Sequence, residues 1–150
     1  MSGAQPLEIR WKSRRIARPG LRRLVTAVLK GEGRPRASVG LCLSDDAHLH
    51  ALNRDFRGKD RPTDVLSFPA EPLPGEPADD YLGDIVISVE RAETQAPRFS
   101  ATFEEEIARL VVHGVLHLLG YDHHAPADGR KMKARERLYL AELERGSILP

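Results

Sequence analysis

The chain has 150 residues, with 41% hydrophobic and 30% charged residues and a formal net charge of +1. That length suits one domain with one buried core, read as 1-150, and the near-neutral balance gives no global field that advertises a polyanion partner. A single cysteine, Cys42, excludes an intramolecular disulfide and a Cys-based zinc finger, and fits a reducing cytosol.

Leu7-Glu-Ile-Arg-Trp11 alternates apolar and polar residues and predicts a half-buried strand. Pro19 and Gly20 then precede Leu21, Leu24, Val25, Val28 and Leu29, an apolar stripe at helical spacing that Gly31 and Gly33 end. Val39, Leu41 and Leu43 alternate as a second strand. Ser44 or Asp45 is placed to cap a short helix that turns Leu49, Leu52 and Phe56 inward. The polar run Arg57 to Asp64 reads as a loop, and Val65 to Phe68 as a third strand. Five residues, Pro69, Pro72, Pro74, Gly75 and Pro77, make the next stretch a surface loop. Leu82 to Val89 is the fourth strand, with Asp84 embedded in it, and a short helix around Glu90 to Gln95 follows.

Thr102-Phe-Glu-Glu105 has the form of a capping box. The helix it opens turns Ile107, Leu110 and Val111 inward and carries His113 and His117. Pro126 and Asp128 begin a last helix with Met132, Leu138 and Leu143 on its apolar side, stopped by Gly146. The expected class is α/β (α+β), a single compact domain. It has a small mixed four-stranded sheet and about five helices, with the two histidines at the end of a central helix.

No N-terminal segment has the form of a signal peptide, and the longest apolar run, Leu110 to Leu119, is too short to span a bilayer. The expectation is a cytoplasmic protein with no membrane partner. Charge is unevenly spread. Arg10 to Arg36 holds ten Lys or Arg and the lone acid Glu32, whereas Asp64 to Glu106 holds eleven acids and two arginines. A basic face of that kind suits a polyanion or is merely the solvated side of the first helix.

The chemistry concentrates in His113-Gly-Val-Leu-His117-Leu-Leu-Gly120-Tyr-Asp-His123. His113 and His117 fall one helical turn apart on one face, Gly120 permits a left-handed exit, and His123 returns as a third ligand. Three nitrogen donors with a fourth position left open describe a catalytic zinc. The zinc-peptidase pattern H-E-x-x-H-x-x-G-x-x-H matches in its ligands and glycine, but its general base is replaced by Gly114. Asp84 and Asp122 are candidates to accept from the far nitrogen of a ligand histidine. His124, His48 and His50 read as surface, and Met132 as core.

This histidine run resembles the signature of the bacterial YbeY family of single-strand-specific metallo-endoribonucleases. Leu52-Asn53 through Phe56-Arg57-Gly58, Asp60, Pro62-Thr63-Asp64 and Ser67-Phe68 agree as well, as does Leu82-Gly83-Asp84-Ile85 with Ile87-Ser88; Met132 and Glu136 continue the match. The tail from Gly146 to Pro150 and the basic stretch before Arg36 depart from it. The resemblance implies one Zn2+ per chain on His113, His117 and His123, and a functionally important arginine at Arg57. Gly114 is then an ordinary family residue. It implies single-stranded RNA as substrate, no DNA, and a role in 16S rRNA 3′-end maturation and late-stage 70S ribosome quality control. The partners implied are the 16S rRNA precursor and the ribosomal small subunit.

On that footing the zinc would polarise water, the scissile phosphate oxygen, or both in turn. Water bound there, its pKa lowered to about 7, would supply hydroxide without a protein base, with water or a ribose 2′-hydroxyl as the attacking group. Arg57 would bind the phosphate or the developing charge bidentately. Two other readings stand beside this one: a ribosome assembly factor with a mainly structural zinc, and a zinc peptidase.

Overall fold

The computed structural model describes residues 7–9, 18–71, 74–75 and 80–143, with the backbone alone at 7–9, 18 and 143. The strands are β1 (Leu7–Ile9), β2 (Ser38–Ser44), β3 (Val65–Pro69) and β4 (Tyr81–Ser88). The helices are α1 (Arg18–Gly31), α2 (Asp46–Arg57), α3 (Val89–Gln95), α4 (Phe103–Leu118) and α5 (Pro126–Leu143), with a 3-10 turn at Ala96–Phe99.

Three strands with described side chains form the body of the sheet in the order β2-β4-β3. β2 runs parallel to β4, and β3 antiparallel to it. Leu7–Ile9 adds to the free edge of β2 by parallel backbone pairing, Leu7 opposite Leu41. The expected strand from Leu7 to Trp11 is therefore three residues of backbone, and Arg10 and Trp11 lie outside the described residues. Most of the proline-rich loop and Gly146 lie outside them too.

Alternation along β4 sorts the two faces. Ile85 and Ile87 are fully buried in the main core with α1, α3, α4 and α5, while Val86 packs with Leu49 of α2 and Leu66 of β3 on the opposite face. The second face is only partly covered. An open groove of about 650 Å³ remains there, bordered by Cys42, Phe56, Phe68, Tyr81 and Asp84.

Local chemistry accounts for the boundaries. α1 begins one residue before Pro19, because the first helical turn needs no backbone donor there. Asp45, not Ser44, caps α2, accepting from the backbone N of His48 at 2.8 Å. The α4 capping box forms as expected: Thr102 Oγ1 accepts from the Glu105 amide at 3.1 Å, and Glu105 Oε1 from the Thr102 amide at 2.8 Å. Gly120 has φ 104, the left-handed exit that brings the chain back toward α4.

Two apolar assignments are corrected. Phe56 is 70% exposed and lies edge-on to Phe68 at 5.7 Å, because α2 ends there at the rim of the open groove. Leu138 is 45% exposed, and the inward stripe of α5 is Met132, Glu136 and Tyr139 instead. A carboxylate on that stripe is the informative deviation.

Candidate metal centre and RNA-cleavage site

α4 meets the sheet at Gly114. A Cβ there would stand 2.7 Å from Ile85 Cγ2, so only glycine allows this approach without displacement of a fully buried strand residue. The same crossing is tied to the edge strand, where Ser67 Oγ donates to the Gly114 carbonyl at 3.4 Å. The position that carries the general base in zinc peptidases therefore faces packed sheet. A glutamate side chain has no room there, so α4 cannot supply the peptidase base from this position.

His113 and His117, the residues on either side of this crossing, present their rings in a stack with centroids 6.0 Å apart. The Gly120 turn adds His123, with centroid separations of 5.9 Å to His113 and 6.1 Å to His117. The three imidazoles thus form a near-equilateral triangle, as their spacing in the sequence predicts. His124 stacks on the outer side of His123 and is exposed.

Each ring has a distinct environment. His113 Nδ1 lies 2.7 Å from Glu136 Oε1, and the Glu136 side chain is 11% exposed. A carboxylate there accepts a hydrogen bond from Nδ1–H, which keeps the proton on that nitrogen and leaves Nε2 as a lone-pair donor. His117 Nδ1 is buried with no hydrogen-bond partner among the described residues. Burial holds the His117 pKa below the ordinary histidine value, reinforced by His113, His123 and Arg57, while the Tyr121 backbone opposes weakly without reaching normal hydrogen-bond geometry.

By donor chemistry this set fits a zinc ion: three imidazoles, one with its tautomer fixed by a carboxylate and one with an unpaired buried nitrogen. The spacing is looser than a closed site. Among the described residues no group of three or more His, Cys, Asp or Glu stands in a metal-holding arrangement.

Arg57, the last residue of α2, joins this group. Its Nη2 donates to the Ser67 carbonyl at 3.1 Å, on the strand residue whose hydroxyl reaches the Gly114 carbonyl between the two helical histidines. Gly58 in the left-handed conformation, φ 68, ends the helix and leaves Arg57 exposed at its tip.

The two aspartates are placed otherwise. Asp84 shares the face of Val86, across the sheet from α4. It accepts from Tyr81 and fills the space that Gly40 leaves open. Strand alternation alone keeps it from the histidines. Asp122 Oδ1 accepts from the His124 amide at 3.2 Å and so shapes the turn that carries His123, with no ring nitrogen as its partner among the described residues. The carboxylate that meets a histidine is Glu136, to which sequence reasoning gave no role. Its signal was an acid at i+4 from Met132, on the inward stripe of α5.

Comparison with known proteins follows the same residues. The family model described as Endoribonuclease YbeY matches residues 7–144. The chain belongs to the YbeY endoribonuclease family. It is 51% identical over 113 residues to the Endoribonuclease YbeY of Desulfitobacterium hafniense, covering 71% of this chain and 72% of that one. The Pelotomaculum thermopropionicum YbeY is 47% identical over 127 residues, covering 82% and 84%. The solution structure of TM1509 from Thermotoga maritima superposes with a TM-score of 0.64 at 30% identity, over 91% of this chain and 88% of that one. The chain is thus grouped with the endoribonucleases, hydrolases that act on RNA. No helix among the described residues is long and apolar enough to cross a membrane.

Proposed function

We propose that this YbeY-family enzyme is a zinc-dependent, single-strand-specific endoribonuclease that cuts at the triangle of His113, His117 and His123. One zinc per chain, held by those three side chains, would supply Lewis acidity and a nucleophile at neutral pH. The observation that carries this reading is the His113–Glu136 pair within the triangle, the carboxylate–histidine arrangement that sets a ligand's tautomer.

The chain's own residues take the remaining work. Glu136 accepts from His113 Nδ1–H, which orients the ring and leaves Nε2 free to bind the metal. Gly114 lets α4 sit low on the sheet, which sets the height of both helical histidines. Arg57 at the tip of α2 binds the phosphate beside the triangle, where a planar guanidinium matches two phosphate oxygens. Developing negative charge on those oxygens is then met by a fixed cation. A protein base is not required of position 114.

The biological setting proposed is maturation of the 16S rRNA 3′ end and late quality control of 70S ribosomes in the cytoplasm. The 16S precursor and the small subunit would be the partners. Support for this comes from the resemblance of the three motifs to the family signature. A ribosome assembly factor with a mainly structural zinc is the competing reading, and RNA binding without cleavage is what would favour it.

The test is cleavage of one end-labelled RNA as a single strand and as a duplex, beside an unstructured protein as peptidase substrate. Cutting of the single strand alone is expected. Binding of RNA without any cutting, at every zinc level tried, would support the assembly-factor reading instead.

A further inference from the structure

The reaction occupies the inner sides of α4 and α5 and leaves the outer faces of α1 and α5 without a role. Their charge pattern is one-sided. Between Arg18 and Arg36 the single acid is Glu32, and between Arg130 and Arg137 it is Glu136. Both turn inward. The Glu32 side chain is 7% exposed and accepts from Tyr121 at 2.5 Å and from Tyr139, with Arg135 Nε at 3.5 Å. Glu136 is taken up by His113.

The cations do the reverse. Arg23, Lys30 and Arg34 on α1 and its following turn, and Arg130, Lys133 and Arg137 on α5, are all exposed. Among the described residues no carboxylate lies within ion-pair distance of any of the six. Arg130, Lys133 and Arg137 share the side of α5 opposite Met132, Glu136 and Tyr139, and Arg23 and Lys30 stand seven residues apart on one ridge. Like charges at such helical spacings repel, so helix stability gives no reason for them.

The two faces are joined to each other and to the site. α1 packs on α5, and Glu32 bridges from the end of α1 to Tyr139 of α5 and to Tyr121 in the turn before His123. At the other end Gly129 backs His123, where a Cβ would lie 3.7 Å from the His123 Cβ, and Arg130 follows at once. A basic surface thus begins beside the histidine triangle and continues over α5 toward α1.

We infer that this joined outer face of α1 and α5 is a track for the RNA strand, holding phosphates beyond the one that is cut. The inference rests on the endoribonuclease reading for its choice of polyanion. Non-specific backbone binding of this kind needs cations at phosphate spacing and no base contacts. Lys30 and Arg23, about 10 Å apart along the helix, span more than one phosphate step.

The experiment measures binding of a fluorescent single-stranded RNA of roughly twenty nucleotides across a salt series. Wild type is compared with Lys30→Gln/Lys133→Gln and with Arg54→Gln/Arg98→Gln, which carries the same net charge but alters exposed cations elsewhere. Circular dichroism and thermal midpoints establish that all three are folded. The first variant should lose about 1.4 from the slope of log affinity against log salt, two contacts at about 0.7 each, and the second should keep the wild-type slope. Cleavage of an oligonucleotide just long enough to cover the histidines should be alike in all three. Equal salt slopes for the two variants would overturn the track. Cleavage is scored separately: RNA bound with the expected slopes but never cut by wild type would keep the track and sink the endoribonuclease reading.

Discussion

Glu136 Oε1 lies 2.7 Å from His113 Nδ1, across the contact between α5 and α4. One buried carboxylate thereby fixes which nitrogen of the first helical histidine faces the triangle. Replacing Glu136 by Gln keeps the shape and removes the charge. Zinc affinity, read by competition with a chelator, should fall about 10- to 100-fold, with the fold intact by circular dichroism. Wild-type affinity in Glu136→Gln would mean that the pair is only a packing contact.

Arg57 should not tolerate lysine. The ammonium keeps the charge but loses the fork that engages two phosphate oxygens and the Ser67 carbonyl. Arg57→Lys should therefore lose nearly as much kcat as Arg57→Ala, roughly a hundredfold, with a smaller effect on KM. Full activity in the lysine variant would refute the bidentate role.

The crossing of α4 over β4 makes a packing prediction. Gly114→Ala forces a methyl against Ile85 and should cost about 1–3 kcal/mol in denaturant unfolding. Ile85→Ala opens the same space, so the double variant should be less destabilised than the sum of the two. Strict additivity would place the clash elsewhere.

All three tyrosines of the chain have phenol pKa values raised above the ordinary value of about 10. Tyr81 is pushed up to about 12 by burial and then by Asp84; Tyr139 is raised by burial and then by Glu32; Tyr121 is raised first by its hydrogen bond to Glu32. A folded pKa above the unfolded one contributes stability that is complete below pH 10 and is lost as pH rises through the folded value. Phenolate absorbance at pH 10 should therefore be lower in the native protein than in the denatured protein, where about half of each phenol is ionised, and the denaturant midpoint should fall as pH rises above about 10. Equal phenolate absorbance in the native and denatured protein at pH 10 would show that these phenols are unpaired in solution.

Periodic elements were legible in the sequence because local chemistry decides them. The α4 capping box, the β4 alternation and the left-handed exit at Gly120 each depend on residues within a few positions of one another. What stayed hidden depends on which faces meet. Phe56 looked like core because helical spacing says nothing about where the covering layer ends. Asp84 looked like a neighbour of the histidines because its strand passes under α4, yet alternation turns it to the other side. Glu136 was visible as a family match, but its meeting with His113 needs the packing of α5 on α4, a contact over 23 positions. The histidine triangle was legible because two members share a helix and the third follows a glycine turn.

The most direct measurement strips the protein with chelator and returns zinc stepwise while cleavage of a labelled single-stranded RNA is followed. Activity should vanish on chelation and climb to a plateau at one zinc per chain in wild type, and should not recover in His117→Ala that retains its fold. Cleavage that survives chelation, or that is equal in His117→Ala, would remove the chemistry from the three histidines.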